Sequence, residues 1–447
     1  MPAFVERKLP QDGPQAVRAA EFELELVPRN CRLSQYERLA NIRPVNVTDE
    51  VIAYASPDST YAVTKKFFDA AKKSIRIGIY DFSSTYMKKL VLDALGRGVE
   101  VTLMLDLDGQ KEERVVQSLE EMGAECVPAP ACSSQRSKYF SSCHQKFIVI
   151  DDVWTLVQSG NYSDHSIPLN ELDGGDPDNF RTGNRDTGLA IKSRKLATFF
   201  TKVLRSDIEL ELSGPEALGA VRAEEPMFLV EAAPTKIPKD LFKSKSFQFS
   251  ADKPLPILPV LSPDNYMDVM PDVLRTARKS ILIEQQYIRG AQADITILLD
   301  AVAEAVEANP DLDIRIVLGK LFDAKDVPKE KLNLKHLKDT YNLMLGANIR
   351  FINEDRFVHC HNKMIIVDGA TVLVSSQNWS DSAVSKNREA GILLTNKPIA
   401  NYFTKIFESD WATAASKVPS PGAKTIGPET VRKGGYIQVA AADYREV

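Results

Sequence analysis

The chain of 447 residues repeats itself. The tripeptide Ser-Pro-Asp at 56–58 recurs at 262–264, an offset of 206 residues. The run CHQKFIVIDD, which begins at Cys143, recurs as CHNKMIIVDG from Cys360, an offset of 217. Similar segments therefore follow one another in the same order while the offset drifts, which indicates two copies of one domain with loop insertions.

Each copy alternates between two kinds of periodicity. TKKFFDAAKKS and VMPDVLRTARKS have helical spacing of apolar residues, whereas IRIGIYDF and ILIEQQYI are short β-rich runs. This alternation predicts the α/β class, with a largely buried sheet in each copy. We divide the chain into an N-terminal extension (1–49), a first domain (50–205), a connector (206–254), a second domain (255–415) and an irregular tail (416–447). Within the extension, EFELELV is expected to add a strand to the first domain.

Composition limits the location and the binding partners. The formal net charge is -5, which disfavours a generally basic surface for non-specific nucleic-acid binding. No run approaches the length of a membrane span and the N-terminus lacks a signal-peptide core, so a cytoplasmic protein is expected, with peripheral membrane contact still compatible. The five cysteines, without an export signal or a Cys-x-x-Cys pair, predict free thiols and no zinc.

The repeated His-containing runs predict two hairpins. In each run the His and the Lys two residues later share one face of a strand, and a turn at Asp151-Asp152 or at Asp368-Gly369 follows the apolar run. A two-residue turn would set Ser159 opposite His144 and Ser376 opposite His361. The asparagines two residues further on, Asn161 and Asn378, would share those faces.

Such a set of side chains is suited to a phosphate group. Lys146 and Lys363 supply positive charge, and the serine and asparagine side chains supply hydrogen-bond donors. His144 and His361 can act as nucleophile or proton donor near neutral pH. Two histidines are what a double displacement needs, so the sequence predicts phosphoryl transfer at one site shared by both copies.

Both runs match the HxKxxxxD signature, as His144, Lys146 and Asp151 and again as His361, Lys363 and Asp368. Each is followed by a Ser and an Asn at fixed spacing, and then by an Asn-x-acid element that ends at Asp186 or Glu389. In these features, and in ILIEQQYI, residues 50–415 resemble the phospholipase D superfamily. The resemblance implies two α-β-α sandwich domains that are related by a pseudo-twofold axis and share one active site.

The resemblance also implies roles for these residues. One histidine attacks phosphorus and the other protonates the leaving group, with His144 the expected nucleophile and His361 the general acid. The lysines and asparagines stabilise the phosphoryl charge, so no metal or other cofactor is expected. Asp186 and Glu389 orient the imidazoles. Because both motifs lie in one chain, a monomer is expected.

Other residues have blander interpretations. By the predicted register Asp151 and Asp368 lie at the turns, away from the histidine face, so a structural role is favoured over catalysis. His165, His336 and His359 are expected at the surface or in local contacts. Between Ser159 and Asp186 the first copy is 14 residues longer than the second copy between the equivalent residues. The segment 167–180 in this stretch is either a passive loop or a specificity loop.

The substrate class remains open at this point. A phospholipid headgroup is favoured because the acidic chain lacks basic tracts and because ILIEQQYI resembles the phospholipase branch. A metal-independent nuclease that cleaves DNA is the alternative enzyme. A non-catalytic scaffold that retains the fold is the alternative of another class, and two complete motifs argue against it.

Overall fold

The computed structural model describes residues 31–106, 110–134, 136–169, 183–213, 227–228, 242–321, 326–419 and 439–440. The predicted strand EFELELV lies outside these ranges, as do most of the 167–180 segment and most of the tail.

Strands and helices alternate through the described part of the first copy. In chain order these are β1 (Val45–Val47), β2 (Val51–Ser56), α1 (Thr60–Ala70), β3 (Ser74–Ile79), α2 (Thr85–Gly96), β4 (Glu100–Leu105), α3 (Gln110–Glu120), β5 (Glu125–Pro128), β6 (Phe147–Ile150), β7 (Trp154–Gln158), β8 (Asp186–Lys192) and α4 (Arg194–Ser213).

The second copy follows two short connector strands, β9 (Met227–Phe228) and β10 (Lys245–Phe247). Its elements are β11 (Leu255–Ser262), α5 (Tyr266–Arg275), β12 (Ser280–Gln285), α6 (Ala293–Ala308), β13 (Asp313–Leu318), α7 (Asp326–Tyr341), β14 (Ile349–Phe351), β15 (Met364–Val367), β16 (Thr371–Ser375), α8 (Asp381–Ser385), β17 (Glu389–Thr395) and α9 (Lys397–Thr413). A last strand, β18 (Val439–Ala440), pairs with β9.

Two eight-stranded sheets have the same topology. Their orders are β10-β2-β8-β7-β6-β3-β4-β5 and β1-β11-β17-β16-β15-β12-β13-β14. The edge strands exchange places: β1, which precedes the first copy in the chain, pairs with β11 of the second sheet, and β10 of the connector pairs with β2 of the first. The N-terminal extension therefore ties the second copy to the first.

One apolar core joins the two copies. It contains residues from the facing sides of both sheets together with one side of α4 and one side of α9. Separate clusters lie on the outer side of each sheet, under α1 and α2 in the first copy and under α5 and α6 in the second. Because each sheet is covered on both faces, its central strands β6 and β15 are uninterrupted apolar runs. The expected pair of α-β-α sandwiches is confirmed.

The hairpin register differs from the prediction by one residue. Phe147 pairs with Val157, and Met364 pairs with Val374. The turn residues Asp151-Asp152 and Asp368-Gly369 have positive φ, as predicted for a tight turn, but one further residue separates each turn from the returning strand. The expectation that Ser159 and Ser376 lie directly opposite the histidines is therefore wrong.

The aspartates that close the two HxKxxxxD signatures hold the backbone of a neighbouring segment. The Asp151 carboxylate accepts hydrogen bonds from the backbone N–H groups of Lys72, Lys73 and Ser74. The Asp368 carboxylate accepts the same three bonds from residues 278–280. Each aspartate thus fixes the start of the strand next to its hairpin.

The expectation of free thiols throughout is wrong. Cys31 and Cys132 form a disulfide across 101 residues of sequence. Spacing in a sequence does not reveal such a distant pairing, which depends on how the N-terminal segment crosses the fold. Cys126, Cys143 and Cys360 are free thiols. No helix in the described ranges is long and apolar enough to cross a membrane.

Replacement of Asp151 by alanine should lower the free energy of unfolding by about 2–3 kcal/mol, because three backbone N–H groups lose a charged acceptor. Asp152 is the matched control. It has the same left-handed conformation, with φ of 55° against 53°, and its carboxylate only makes a half-exposed ion pair with Arg76. Denaturant unfolding of both variants measures the difference, and an equal loss in the two would contradict the structural role.

The difference in unfolding free energy between the wild type and Asp151→Ala should depend on pH. Burial alone would raise the pKa of Asp151, but the N–H groups of Ser74, Lys73 and Lys72 outweigh it and hold that pKa below its ordinary value. The stabilisation should therefore be complete above pH about 4, the ordinary value for aspartate, and should be lost as the pH falls through the folded-state pKa.

Candidate active site

Each histidine-containing run is bound to the Asn-x-acid element of the opposite copy. Cys143 forms an isolated β-bridge with Arg388, and Cys360 forms one with Arg185. The amide of Arg388 donates to the Ser142 carbonyl at 2.9 Å. These bridges bring the two HxK segments together at the seam between the sheets, so the site contains residues from both copies.

The two histidines face each other, and each is held by an acid from the other copy. Their ring centroids are 6.3 Å apart. His144 Nδ1 lies 2.9 Å from the Glu389 carboxylate, and His361 Nδ1 lies 3.0 Å from that of Asp186. Because Nδ1 of each ring is committed to a carboxylate, Nε2 is the nitrogen left for chemistry.

The serines support the acids. Ser159 Oγ donates to Asp186 Oδ1 at 2.7 Å, and Ser376 Oγ donates to Glu389 Oε2 at 2.6 Å. The sequence predicted that these hydroxyls would face a phosphate, but their hydrogens are used within the protein. Each serine therefore fixes the acid of its own copy, and that acid reaches the histidine of the other.

Both lysines are fully buried beside the histidines. Lys146 Nζ donates to the His144 carbonyl and Lys363 Nζ to the His361 carbonyl. Burial lowers the pKa of Lys363 to about 8 and that of Lys146 well below its ordinary value, against the opposing effect of the nearby acids. The ring of Tyr80 lies 5.4 Å from Lys146 Nζ and 4.9 Å from the His144 ring, so it forms one wall.

The two His–acid pairs differ in their electrostatics. Burial alone would raise the pKa of Asp186, but His361, Lys363 and Ser159 outweigh it and hold it below its ordinary value. Burial instead raises the pKa of Glu389 to about 8, despite Lys146 and Ser376. Burial and Lys363 lower the pKa of His361 to about 4, and burial and the two lysines lower that of His144 well below its ordinary value.

The remaining predicted residues divide into two groups. Asn161 and Asn378 follow β7 and β16 at the site, and each has a buried Oδ1 with no hydrogen-bond partner among the described residues. Asp151 and Asp368 lie at the far ends of the hairpins and do not join the site. No group of three or more His, Cys, Asp or Glu side chains in the described ranges is arranged to hold a metal ion.

Sequence reasoning missed the arginines inside the Asn-x-acid elements. Arg185 pairs with Asp58 at 2.7 Å and with Asp410 at 2.6 Å, and all three side chains are almost fully buried. Arg388 pairs in the same way with two other aspartates, Asp264 and Asp207. Two sequence features could have revealed these ion pairs: the repeated Ser-Pro-Asp tripeptide and the Asn-Arg-acid sequence that both copies share. A buried arginine requires an acid as its partner.

Two other histidines, expected at the surface or in local contacts, are buried in the structure. His165 and His359 are only 4% and 3% exposed, and the His359 ring lies 6.5 Å from that of His361. Of the two expected alternatives, the surface position is therefore excluded for both, and contacts within the protein are found instead. His336 is half-buried on α7, where its Nε2 lies 3.2 Å from the Gly290 carbonyl.

Comparison with known proteins agrees with the duplicated fold. The family model for the PLD-like domain of cardiolipin synthase matches residues 65–208 and again 270–411. Phosphatidylserine synthase from Haemophilus influenzae Rd KW20 is similar in structure, with a TM-score of 0.58 and 14% identity over 88% of this chain and 93% of that one. A comparison with curated protein sequences gives no match.

Two further solved structures are similar to parts of the chain. Nuc from Salmonella typhimurium, a phospholipase D family member, has a TM-score of 0.30 and 20% identity over 38% of this chain and 98% of that one. Polyphosphate kinase from Porphyromonas gingivalis has a TM-score of 0.47 and 12% identity over 80% and 46%. Because the family model matches both copies over most of the chain, the chain belongs to the family of cardiolipin synthase PLD-like domains, within the phospholipase D superfamily.

Proposed function

We propose that this protein is a phospholipase D-type phosphodiesterase that hydrolyses or transfers a phospholipid headgroup through a phosphohistidine intermediate. The observation that carries the proposal is the facing pair of histidines, His144 and His361, each with Nδ1 held by an acid from the other copy. With ring centroids 6.3 Å apart, both Nε2 atoms can reach one phosphate group bound between them. Two buried lysines beside them can balance its charge.

The charges of the two pairs favour a definite division of roles. Between pH about 4 and about 8 the His144–Glu389 pair holds one proton more than the His361–Asp186 pair, because the pKa of Glu389 is raised and those of Asp186 and His361 are lowered. A general acid needs that proton, and a nucleophile needs a neutral ring. We therefore assign attack to His361 and proton donation to His144, the reverse of the assignment that the resemblance suggests.

The resulting reaction has two steps. His361 Nε2 forms a bond to phosphorus while the bond from phosphorus to the leaving alcohol breaks, and that oxygen takes the proton held by His144 and Glu389. Water or a second alcohol then gives its proton back to this pair and attacks phosphorus, and the phosphorus–nitrogen bond breaks. Lys146 and Lys363 face the phosphoryl oxygens throughout.

A phospholipid is the favoured substrate. The matching family is described by cardiolipin synthase, and phosphatidylserine synthase shares the fold. The net charge of -5 also disfavours nonspecific attraction to a nucleic acid. Purified protein should release headgroups from phosphatidylglycerol or phosphatidylcholine vesicles in EDTA and should leave single-stranded DNA intact. Cleavage of DNA alone would identify a nuclease, and activity that EDTA abolishes and a divalent ion restores would overturn the mechanism.

The two histidine variants should differ in adduct formation. With a nitrophenyl phosphodiester, whose leaving group needs little protonation, His144→Ala should form a covalent phosphoryl adduct that accumulates, because the base that activates water is missing. His361→Ala should form none. Intact-mass measurement after an alkaline quench, under which phosphohistidine survives, detects the adduct. His336→Ala, a histidine outside the site, is the control and should turn over normally. An adduct found only with His361→Ala would restore His144 as the nucleophile.

Substitutions of the two acids should also have different effects on turnover. Asp186→Asn should lower turnover about 10²–10⁴-fold with every substrate, because the attacking ring loses its carboxylate. Glu389→Gln removes the group that stores the acidic proton. The turnover of Glu389→Gln should therefore fall greatly with an alkyl leaving group and only slightly with nitrophenol. Wild-type turnover of the alkyl substrate should fall as the pH rises through about 8, where both Glu389 and Lys363 lose a proton. The nitrophenyl substrate should show only the part of the fall that is due to Lys363, and Glu389→Gln should abolish the difference between the two substrates. Identical leaving-group dependence in both variants would contradict the division of roles.

A further inference from the structure

Two buried histidines flank the entry to β8 beside the site. The amides of Asn184 and Arg185, which are consecutive residues, donate to the carbonyls of His165 at 2.7 Å and His359 at 2.8 Å. Neither histidine is needed by the proposed mechanism. The His359 ring lies 6.5 Å from the ring of His361. The backbone of His165 is bound by the amide that precedes the one bound to His359, so the two histidines enter the structure side by side.

The pseudo-twofold relation supplies a comparison for these histidines. At the equivalent entry to β17, the amides of Asn387 and Arg388 donate to the carbonyls of Ser382 at 2.7 Å and Ser142 at 2.9 Å. The backbone contacts are therefore the same in both copies, and only the side chains differ. The histidines are not required by the scaffold, since serines serve in the same places.

A lysine near these histidines also differs between the two copies. Lys320 follows β13, where the sequence of the first copy has Leu107. The preceding residue, Gly319, makes room for a histidine ring, because a Cβ there would lie 2.2 Å from His359 Cε1. Burial chiefly lowers the pKa of both His165 and His359, and the charge of Lys320 lowers each further. The carboxylate of Asp164, next in sequence to His165, acts in the opposite direction on His165.

These three side chains have the chemistry of an anion site. Lys320 supplies a full charge, and two neutral imidazoles supply N–H donors. His165 Nδ1 is buried and has no hydrogen-bond partner among the described residues. A pair of equivalent copies can bind one phosphate symmetrically, but a diester has two unlike sides. Side chains that differ between equivalent positions are the ones able to distinguish those sides.

We propose that His165, His359 and Lys320 form a second subsite, which binds a further phosphate group of the same substrate whose diester phosphorus reacts between His144 and His361. This inference rests on the proposed function, since it adds a second anionic group to the phosphodiester substrate. It predicts a substrate with two phosphates separated by a short linker rather than a simple diester.

Binding can be measured without turnover. Isothermal titration of the full chain should show that propane-1,3-diol bisphosphate binds at least about tenfold more tightly than propyl phosphate, because a second charge-assisted contact is made. Lys320→Met should abolish that ratio and Lys320→Arg should keep it. Lys331→Met, which removes an exposed lysine of α7, is the control and should leave the ratio unchanged. His165→Asn offers a second variant that should reduce it if Lys320→Met does not fold.

Each outcome has a defined meaning. Equal affinities for the two ligands in the wild type, or a ratio that survives both Lys320→Met and His165→Asn, would overturn the subsite while leaving the phosphodiesterase proposal intact. If neither phosphate binds and no diester is turned over, the proposed function fails and the subsite with it. Vesicles then identify the source of the second phosphate: a headgroup phosphate predicts faster turnover of phosphatidylglycerol phosphate than of phosphatidylglycerol, whereas equal turnover assigns it to a soluble ligand.

Discussion

Two buried arginines fix how the halves of this protein meet. Arg185 and Arg388 are almost completely removed from solvent, and an unpaired charge in such a place would cost several kcal/mol. Each therefore needs acids, and it takes one from each half. Arg388 pairs with Asp264 of its own Ser-Pro-Asp segment and with Asp207 on α4 of the first copy. Any other docking of the two sheets would leave at least one of these charges without its partner.

The pairing of each acid with the histidine of the opposite copy follows from this constraint. Asp186 comes directly after Arg185 in the chain, and Glu389 comes directly after Arg388. When each arginine is anchored across the seam, the next residue is carried to the histidine of the opposite copy. Aromatic rings cover both arginines: Tyr36 of the N-terminal segment lies over Arg388, and Phe242 of the connector lies over Arg185. The exchange of β1 and β10 between the sheets thus keeps these aromatic rings packed over the arginine–aspartate clusters.

Much of this arrangement could be predicted from the sequence because it is written in local patterns. The apolar runs of β6 and β15 predicted buried strands, and the repeated motif predicted one site with two histidines. Three features could not be read in this way. The contact of each acid with the histidine of the opposite copy depends on how the two copies dock. The disulfide of Cys31 with Cys132 joins segments 101 residues apart. The hairpin register depends on one residue after each turn.

Duplication gives this fold a symmetric frame, and chemistry on a diester requires that the symmetry be broken. The frame is the set of contacts that both copies share: the arginine clusters, the serine-to-acid bonds and the backbone bonds of residues 184–185 and 387–388. The asymmetry lies in side chains that these contacts tolerate. Against the effect of burial, the pKa of Asp186 is held below its ordinary value by His361 and Lys363, whereas burial raises that of Glu389, so equivalent positions favour unlike charges. The acids differ by one methylene and the flanking histidines stand where the other copy has serines. In the proposed mechanism, these few differences distinguish a nucleophile side from an acid side.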